Sequence, residues 1–314
     1  MLVLIDGHPE GILKFSYSEN PMTLARGIYA GEGPLRERLA TIVSDVLTDY
    51  TGLDFGVART DLVYTEDPMD NAKTPDLHLG SLQFFIDDAK DVKKLGKESF
   101  DNVSDEEFQK FVFHIIMVSA DAHLGNILLK RNPDSDGYEV YLIDMSNSLP
   151  RSSENGYRAS LYGWLMHSRS GHYLSDKWRE RLSRLNVPRI VSEIRKQWKQ
   201  EMKVQEVDDP LPEETWDLLT ISLSTVKYGA QYNRSLRSMA SIFIPVALKE
   251  GEDTKYYGGE IEDIYTLYYD KQADRWQLDG ALEQIRQILS KEVPRKETPT
   301  AAPFTNVQYL PDYP

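Results

Sequence analysis

The chain has 314 residues, a length that admits two compact domains or one two-lobed unit, and its 40% hydrophobic and 27% charged content is that of a globular protein. Its 36 basic and 50 acidic side chains give a formal net charge of -14, which argues against nucleic-acid binding through an excess of Lys and Arg and disfavours adhesion to an anionic membrane. Cysteine is absent, so disulfides, thiolate zinc sites and thiol nucleophiles are excluded.

The opening reads as a hairpin. Leu2 to Ile5 is an apolar run, residues 7–11 have turn chemistry, and Ile12 to Phe15 is the returning strand. A Gly-rich loop, Gly27 to Gly33, precedes Pro34, and Leu35, Leu39, Ile42, Val43, Val46, Leu47 and Tyr50 then recur at helical spacing until Gly52. Short strands are expected near Val57–Tyr64 and Leu79–Ile86. Lys90 to Val103 is a charged connector. Ser104 to Glu107 has the form of a capping box and opens an apolar helix over Phe108 to about Ser119.

A polar turn leads to Asn126–Leu129, then a turn over residues 132–137 and a returning strand at Val140–Ile143. Helical patterning dominates from Asp176 to about Val204 and from Pro212 to about Tyr228. Ile264–Tyr269 and Arg275–Leu278 read as a hairpin, and Leu282–Leu289 as a final helix. The last 21 residues carry five prolines and read as a flexible tail. No internal repeat is present. The N-terminus lacks a basic region and a long apolar core. The most apolar stretch, Phe111–Ala120, is about half the length of a bilayer span. A soluble, cytoplasmic protein without a transmembrane segment is therefore expected.

The pattern defines an α+β protein of two lobes. A small strand-rich N-terminal lobe (residues 1–88) is followed by a larger, mostly helical lobe (residues 89–293) and the Pro-rich tail (residues 294–314). A ligand site between lobes is the default expectation.

One run carries chemistry. Asp121, His123 and Asn126 share a loop after an apolar helix, and Asp144 ends an apolar strand 18 residues after Asn126. Phosphoryl transfer from ATP needs such a set, with one carboxylate to orient the attacking hydroxyl and an Asn and an Asp to hold magnesium on the phosphates. Asp121 and Asn126 are five apart, the D-x-x-x-x-N spacing of kinase catalytic loops.

The run DAHLGNILL followed by YLID resembles the catalytic loop and metal-binding Asp of the phosphatidylinositol 3-/4-kinase superfamily, and also the D-A-H-x-x-N loop of HipA-type kinases. Ile12-Leu13-Lys14 resembles the strand bearing the ATP-binding lysine. GIYAGEGPLRERLA resembles the approach to the small-lobe helix in type II and gamma-type phosphatidylinositol 4-kinases. Gly80 to Phe85 resembles the strand leading to the adenine linker. The match covers roughly residues 10 to 150.

What the resemblance implies is a two-lobed protein-kinase-like fold that uses ATP and Mg2+. Lys14 would contact the phosphates with Glu37 as its ion-pair partner. Asp121 would orient or deprotonate the acceptor hydroxyl, with His123 contributing or holding the turn. Asn126 and Asp144 would bind magnesium, and Phe84 and Phe85 would lie near the adenine. Asp144-Met145-Ser146 lacks the Gly of the usual Asp-Phe-Gly, which reduces backbone freedom there. Before Lys14, only Gly7 and Gly11 are available for a turn over the phosphates.

Three classes follow. The first is a kinase acting on a protein Ser or Thr hydroxyl, with a phosphoinositide headgroup as the alternative acceptor. The second is a pseudokinase that holds nucleotide, and the third an interaction protein. Residues 151–189 hold eight basic side chains against three acidic ones. That segment suits an anionic partner or, equally, a solvated helix face.

Overall fold

The computed structural model describes residues 2–5, 8–15, 28–29, 31–66, 77–151, 162–209, 211–250 and 253–291. Gly7, Gly27, Ala30, residues 152–161 and the tail from Pro294 lie outside the described residues.

The N-terminal region is a four-stranded antiparallel sheet. Its strands are β1 (Leu2–Ile5), β2 (His8–Phe15), β3 (Thr60–Glu66) and β4 (Leu77–Phe84), in the order β1-β2-β4-β3. One helix, α1 (Gly33–Thr51), covers it. Pro34 occupies the first turn of α1, where its missing N–H is no loss. Gly52 stops the helix with φ 66°, its N–H bonded to Thr48 O at 2.7 Å. The register sets Lys14 opposite Ser81 and Leu62 opposite Ser81. Directly paired residues share a face of a sheet, so Lys14, Leu62 and Ser81 project to one side. Thr60, Leu62, Ser81 and Gln83 are all buried on that side. Gly80 is needed because a Cβ there would stand 2.6 Å from Lys14 O.

The second region is mainly helical. Strand β5 (Lys90–Asp91) joins the hairpin of β6 (Ile127–Arg131) and β7 (Tyr138–Leu142). The region's long helices are α2 (Asp176–Ser183), α3 (Val187–Val204), α4 (Glu213–Gln231), α5 (Ile261–Tyr268) and α6 (Leu278–Ser290). Helix α4 is buried along most of its length, and α2, α3 and α6 all pack on it. One contiguous core runs from Leu35 in α1 to Leu289 in α6. The architecture is therefore mixed α/β, strand-rich first and helical after.

Two expectations change. The helix over Phe108–Ser119 is broken into a turn at Asp105–Phe108, a 3-10 turn at Gln109–Phe111 and a second turn at Val112–Ile116. Ser104 caps its start, accepting from Glu107 N at 3.1 Å. The Glu107 carboxylate does not complete the capping box; it accepts from Val140 N at 2.7 Å and pairs with Lys110. The chain leaves this segment at Val118, whose φ of 43° no helix tolerates.

The segment Ile264–Tyr269 is helical rather than extended. Ile261, Ile264 and Tyr265 are spaced to bury one helix face, and only Tyr269–Asp270 pairs with Arg275–Trp276. A further hairpin, Pro245–Glu250 with Asp253–Gly258, has no counterpart in the sequence expectations.

Candidate active site

The hairpin register explains the spacing of Asn126 and Asp144. Ile127 pairs with Leu142, so the residues just outside the hairpin are neighbours, and Ile143 N donates to Asn126 O at 3.1 Å. Asn126 enters β6 and Asp144 leaves β7 at the same end. The far turn is closed by Asn132, whose side chain accepts from Asp134 N at 2.8 Å.

The loop before β6 is held by its own side chains. His123 Nδ1 accepts from Gly125 N at 2.9 Å and caps the 3-10 turn Leu124–Asn126. The ring thus supports the turn. Asn126 is buried, and its amide nitrogen donates to the Asp121 carbonyl at 2.8 Å. The side-chain oxygen of Asn126 keeps its capacity to bind a ligand.

Asp144 has φ 57° and ψ 60°, a left-handed conformation that costs a non-glycine residue about 1 kcal/mol or more. Such strain persists where neighbours fix it. Here Ser146 Oγ donates to Asp144 Oδ1 at 2.8 Å, and Lys14 Nζ stands 3.2 Å from the same oxygen. Ser146, in the 3-10 turn Met145–Asn147, is not among the residues with positive φ. The turn thus needs no glycine at position 146.

Lys14 joins the two regions. From β2 its ammonium donates to Glu37 of α1 and also faces Asp144 beyond β7. Ser81, opposite Lys14, donates to the other Glu37 oxygen at 2.6 Å. Burial alone would depress the Lys14 ammonium, but the Glu37 and Asp144 carboxylates outweigh it and hold its pKa above the ordinary lysine value. Burial pushes the Glu37 carboxyl up despite Lys14. Asp144 is held below the usual carboxylate range: burial raises it, and Lys14 together with the Ser146 hydroxyl overcomes that.

Helix α1 is itself anchored to the segment after Asp144. Arg36, fully buried, donates to Glu32, to Ser148 O at 2.7 Å and to Leu149 O. Arg151 pairs with the other Glu32 oxygen and lies over Tyr29, 4.1 Å from the ring centre.

Phe84 and Phe85, at the end of β4, are exposed, with Arg59 stacked 5.2 Å from the Phe84 ring centre. They stand at the end of an interior strand, where Phe84 N donates to Arg59 O at 2.9 Å and Phe85 N to Glu10 O at 3.0 Å. Asp121 is half-buried, and Asn147 Nδ2 approaches its Oδ2 at 3.5 Å. Asp121, Asn126 and Asp144 thus belong to one polar network that also includes Lys14 and Glu37.

Sequence reasoning missed Ser81, Ser146 and Asn147. Ser81 could have been found from strand pairing with Lys14. Position 146 stands out in the sequence only for the glycine it lacks, and nothing singles out Asn147.

The basic segment is largely matched within the chain. Arg169 pairs with Asp105, Lys177 with Glu106, Arg179 with Asp176 and Arg184 with Glu180. Arg189 stacks on Tyr50, and Arg158 lies outside the described residues. Among the described residues no group of three or more His, Cys, Asp or Glu is arranged to hold a metal ion. Magnesium on a nucleotide needs only one or two protein oxygens, the rest of its shell coming from phosphate and water. A carboxylate and an amide oxygen, as in Asp144 and Asn126, fit that requirement.

No family model matches the chain, and no curated protein matches it. Among solved structures, a Helicobacter pylori proinflammatory kinase, CtkA, is 12% identical, with 76% of this chain and 90% of that chain covered at a TM-score of 0.31. That likeness is too slight to define a shared fold. Among the described residues no helix is long and apolar enough to cross a membrane.

Proposed function

We propose that the chain is an ATP- and magnesium-dependent phosphotransferase whose acceptor is a protein Ser or Thr hydroxyl. The observation that carries this reading is the position of Lys14 between Glu37 and Asp144, one cation joining the sheet, α1 and the turn after β7. A lysine so held presents a fixed positive charge where phosphate oxygens would develop charge. Asn126 and Asp144 would hold magnesium, which when bound neutralises phosphate charge.

Asp121 receives the acceptor's proton as the hydroxyl oxygen bonds to the γ-phosphorus and the bond to ADP breaks. Its half-buried carboxylate sits in the loop before β6, beside Asn126, which suits it to that role. Glu37 keeps Lys14 in place, and His123 shapes the loop through its cap on Gly125. Phe84 and Phe85 offer apolar surface to the adenine at the end of β4.

A protein acceptor is favoured over an inositol phosphate because most cations of residues 151–189 are matched by carboxylates of the same chain. The test is to incubate the protein with γ-labelled ATP beside a protein extract and beside phosphatidylinositol vesicles. Label in protein, absent with Asp121→Ala, is the expected result. Label in lipid alone overturns the acceptor, and nucleotide binding with no transfer to either overturns the enzyme reading in favour of a pseudokinase.

A further inference from the structure

We infer that Asn147 is a positioning residue, setting the Asp121 carboxylate in register with Asp144 through Ser146; this rests on the phosphotransferase reading above. Asn147 follows the 3-10 turn's Ser146 and is 6% exposed. Its backbone is fixed independently, since its carbonyl accepts from Ala120 N at 2.8 Å. The side chain makes two long contacts, Nδ2 to Asp121 Oδ2 at 3.5 Å and Nδ2 to Ser146 Oγ at 3.4 Å. Its Oδ1 is buried with no hydrogen-bond partner among the described residues.

The donors run in one direction. The Asn147 amide has two N–H bonds, one for Asp121 and one for Ser146. Ser146 spends its single proton on Asp144, which frees its lone pairs to accept from Asn147. Lys14 then donates to Asp144 and to Glu37. The carboxylate on the acceptor side and the carboxylate on the phosphate side are therefore joined by two neutral side chains from adjacent positions. A single rigid turn sets their separation.

A purely structural buried amide bonds at both ends, because an unmet polar atom costs about 1–3 kcal/mol. Asn147 has an unpartnered oxygen and two stretched contacts. That looseness fits an amide whose bonds tighten when the site fills. Removing it takes away the contact that Asn147 gives Asp121 Oδ2, and small misplacements of reacting groups carry large rate penalties.

The test uses the full chain with ATP and magnesium chloride, reading ATP turnover, KM for ATP and Tm. Asn147→Ala is expected to lower kcat by about 10- to 100-fold while KM for ATP stays within about twofold and Tm changes little. Ser146→Ala, which cuts the same chain one link away, should also lower kcat. In an Asp121→Asn background, Asn147→Ala should lower kcat no further, because its action passes through Asp121. Wild-type turnover with an unchanged kcat in Asn147→Ala overturns the positioning role alone, and so does an added loss in the Asp121→Asn background. If Asn147→Ala unfolds, Ser146→Ala with wild-type kcat overturns it. A wild type that neither binds nor turns over ATP overturns this inference together with the phosphotransferase reading.

Discussion

Lys14 Nζ stands 3.2 Å from Asp144 Oδ1 while donating to Glu37, so a strand, a helix and a distant turn meet at one ammonium. Removing that charge leaves the buried Glu37 carboxyl with the Ser81 hydroxyl and the like charge of Asp144. Lys14→Met is therefore expected to destabilise the protein by about 2 kcal/mol or more in urea unfolding. The double variant Lys14→Met/Glu37→Gln should recover part of that loss, since the unpaired buried charge is gone. A double variant less stable than Lys14→Met would contradict the pairing.

Gly80 lies against β2 at the lysine. A methyl group there would meet the Lys14 carbonyl at 2.6 Å, which backbone must move to relieve. Gly80→Ala is expected to lower Tm, by several degrees, and to weaken nucleotide affinity because the strand bearing Lys14 shifts. Retention of both wild-type Tm and affinity would show that the strands are not so closely paired.

Arg36 fastens α1 to the segment after Asp144 through two carbonyls and Glu32. Lysine cannot reproduce this forked pattern. Arg36→Lys should cost about 1–3 kcal/mol of stability and raise KM for ATP, as Glu37 on the same helix loses its fixed position. Wild-type stability in this variant would mean the buried guanidinium is dispensable.

His114 gives a pH dependence. It is buried, its Nδ1 accepts from Trp164 Nε1 at 3.1 Å, and burial lowers its pKa from 6.5 to about 3. Below pH 6.5 the unfolded chain binds a proton that the native state refuses, so native stability falls as pH drops toward about 3. This group alone should remove about 2 kcal/mol between pH 6.5 and pH 5. His114→Gln keeps an acceptor for Trp164 and has no such titration. Urea unfolding followed by Trp fluorescence should show a flatter stability profile over that window; an identical slope would contradict the assignment.

Much of the fold was legible in the sequence because local signals and packing agree. Pro34, Gly52 and the spacing of Leu35, Leu39, Ile42 and Val46 fix α1 almost to the residue. The hairpin of β6 and β7 follows from two apolar runs, Ile127–Leu129 and Val140–Ile143, on either side of an Asn-Pro-Asp turn.

Two segments misled for identifiable reasons. Residues 111–118 are apolar except for His114, so they carry little periodicity to show where a helix breaks. Over residues 264–269, β-prone side chains such as Ile264 and Tyr265 sit on a helix face buried by tertiary packing, which overrides their local preference. In the site, Asp121, Asn126 and Asp144 stood out by spacing. Ser146 and Asn147 did not, because their importance lies in which protons they give and to whom, and only the folded turn decides that.

Magnesium binding by Asp144 and Asn126, on a nucleotide that Lys14 also holds, is the proposal on which the proposed activity depends. Thermal unfolding of the full chain with ATP and magnesium chloride, beside ATP with EDTA, tests it most directly. Wild type should rise in Tm only when both ATP and magnesium are present, and Asp144→Ala, though folded, should show no such rise. An equal rise in Asp144→Ala, or none in the wild type, would contradict the account.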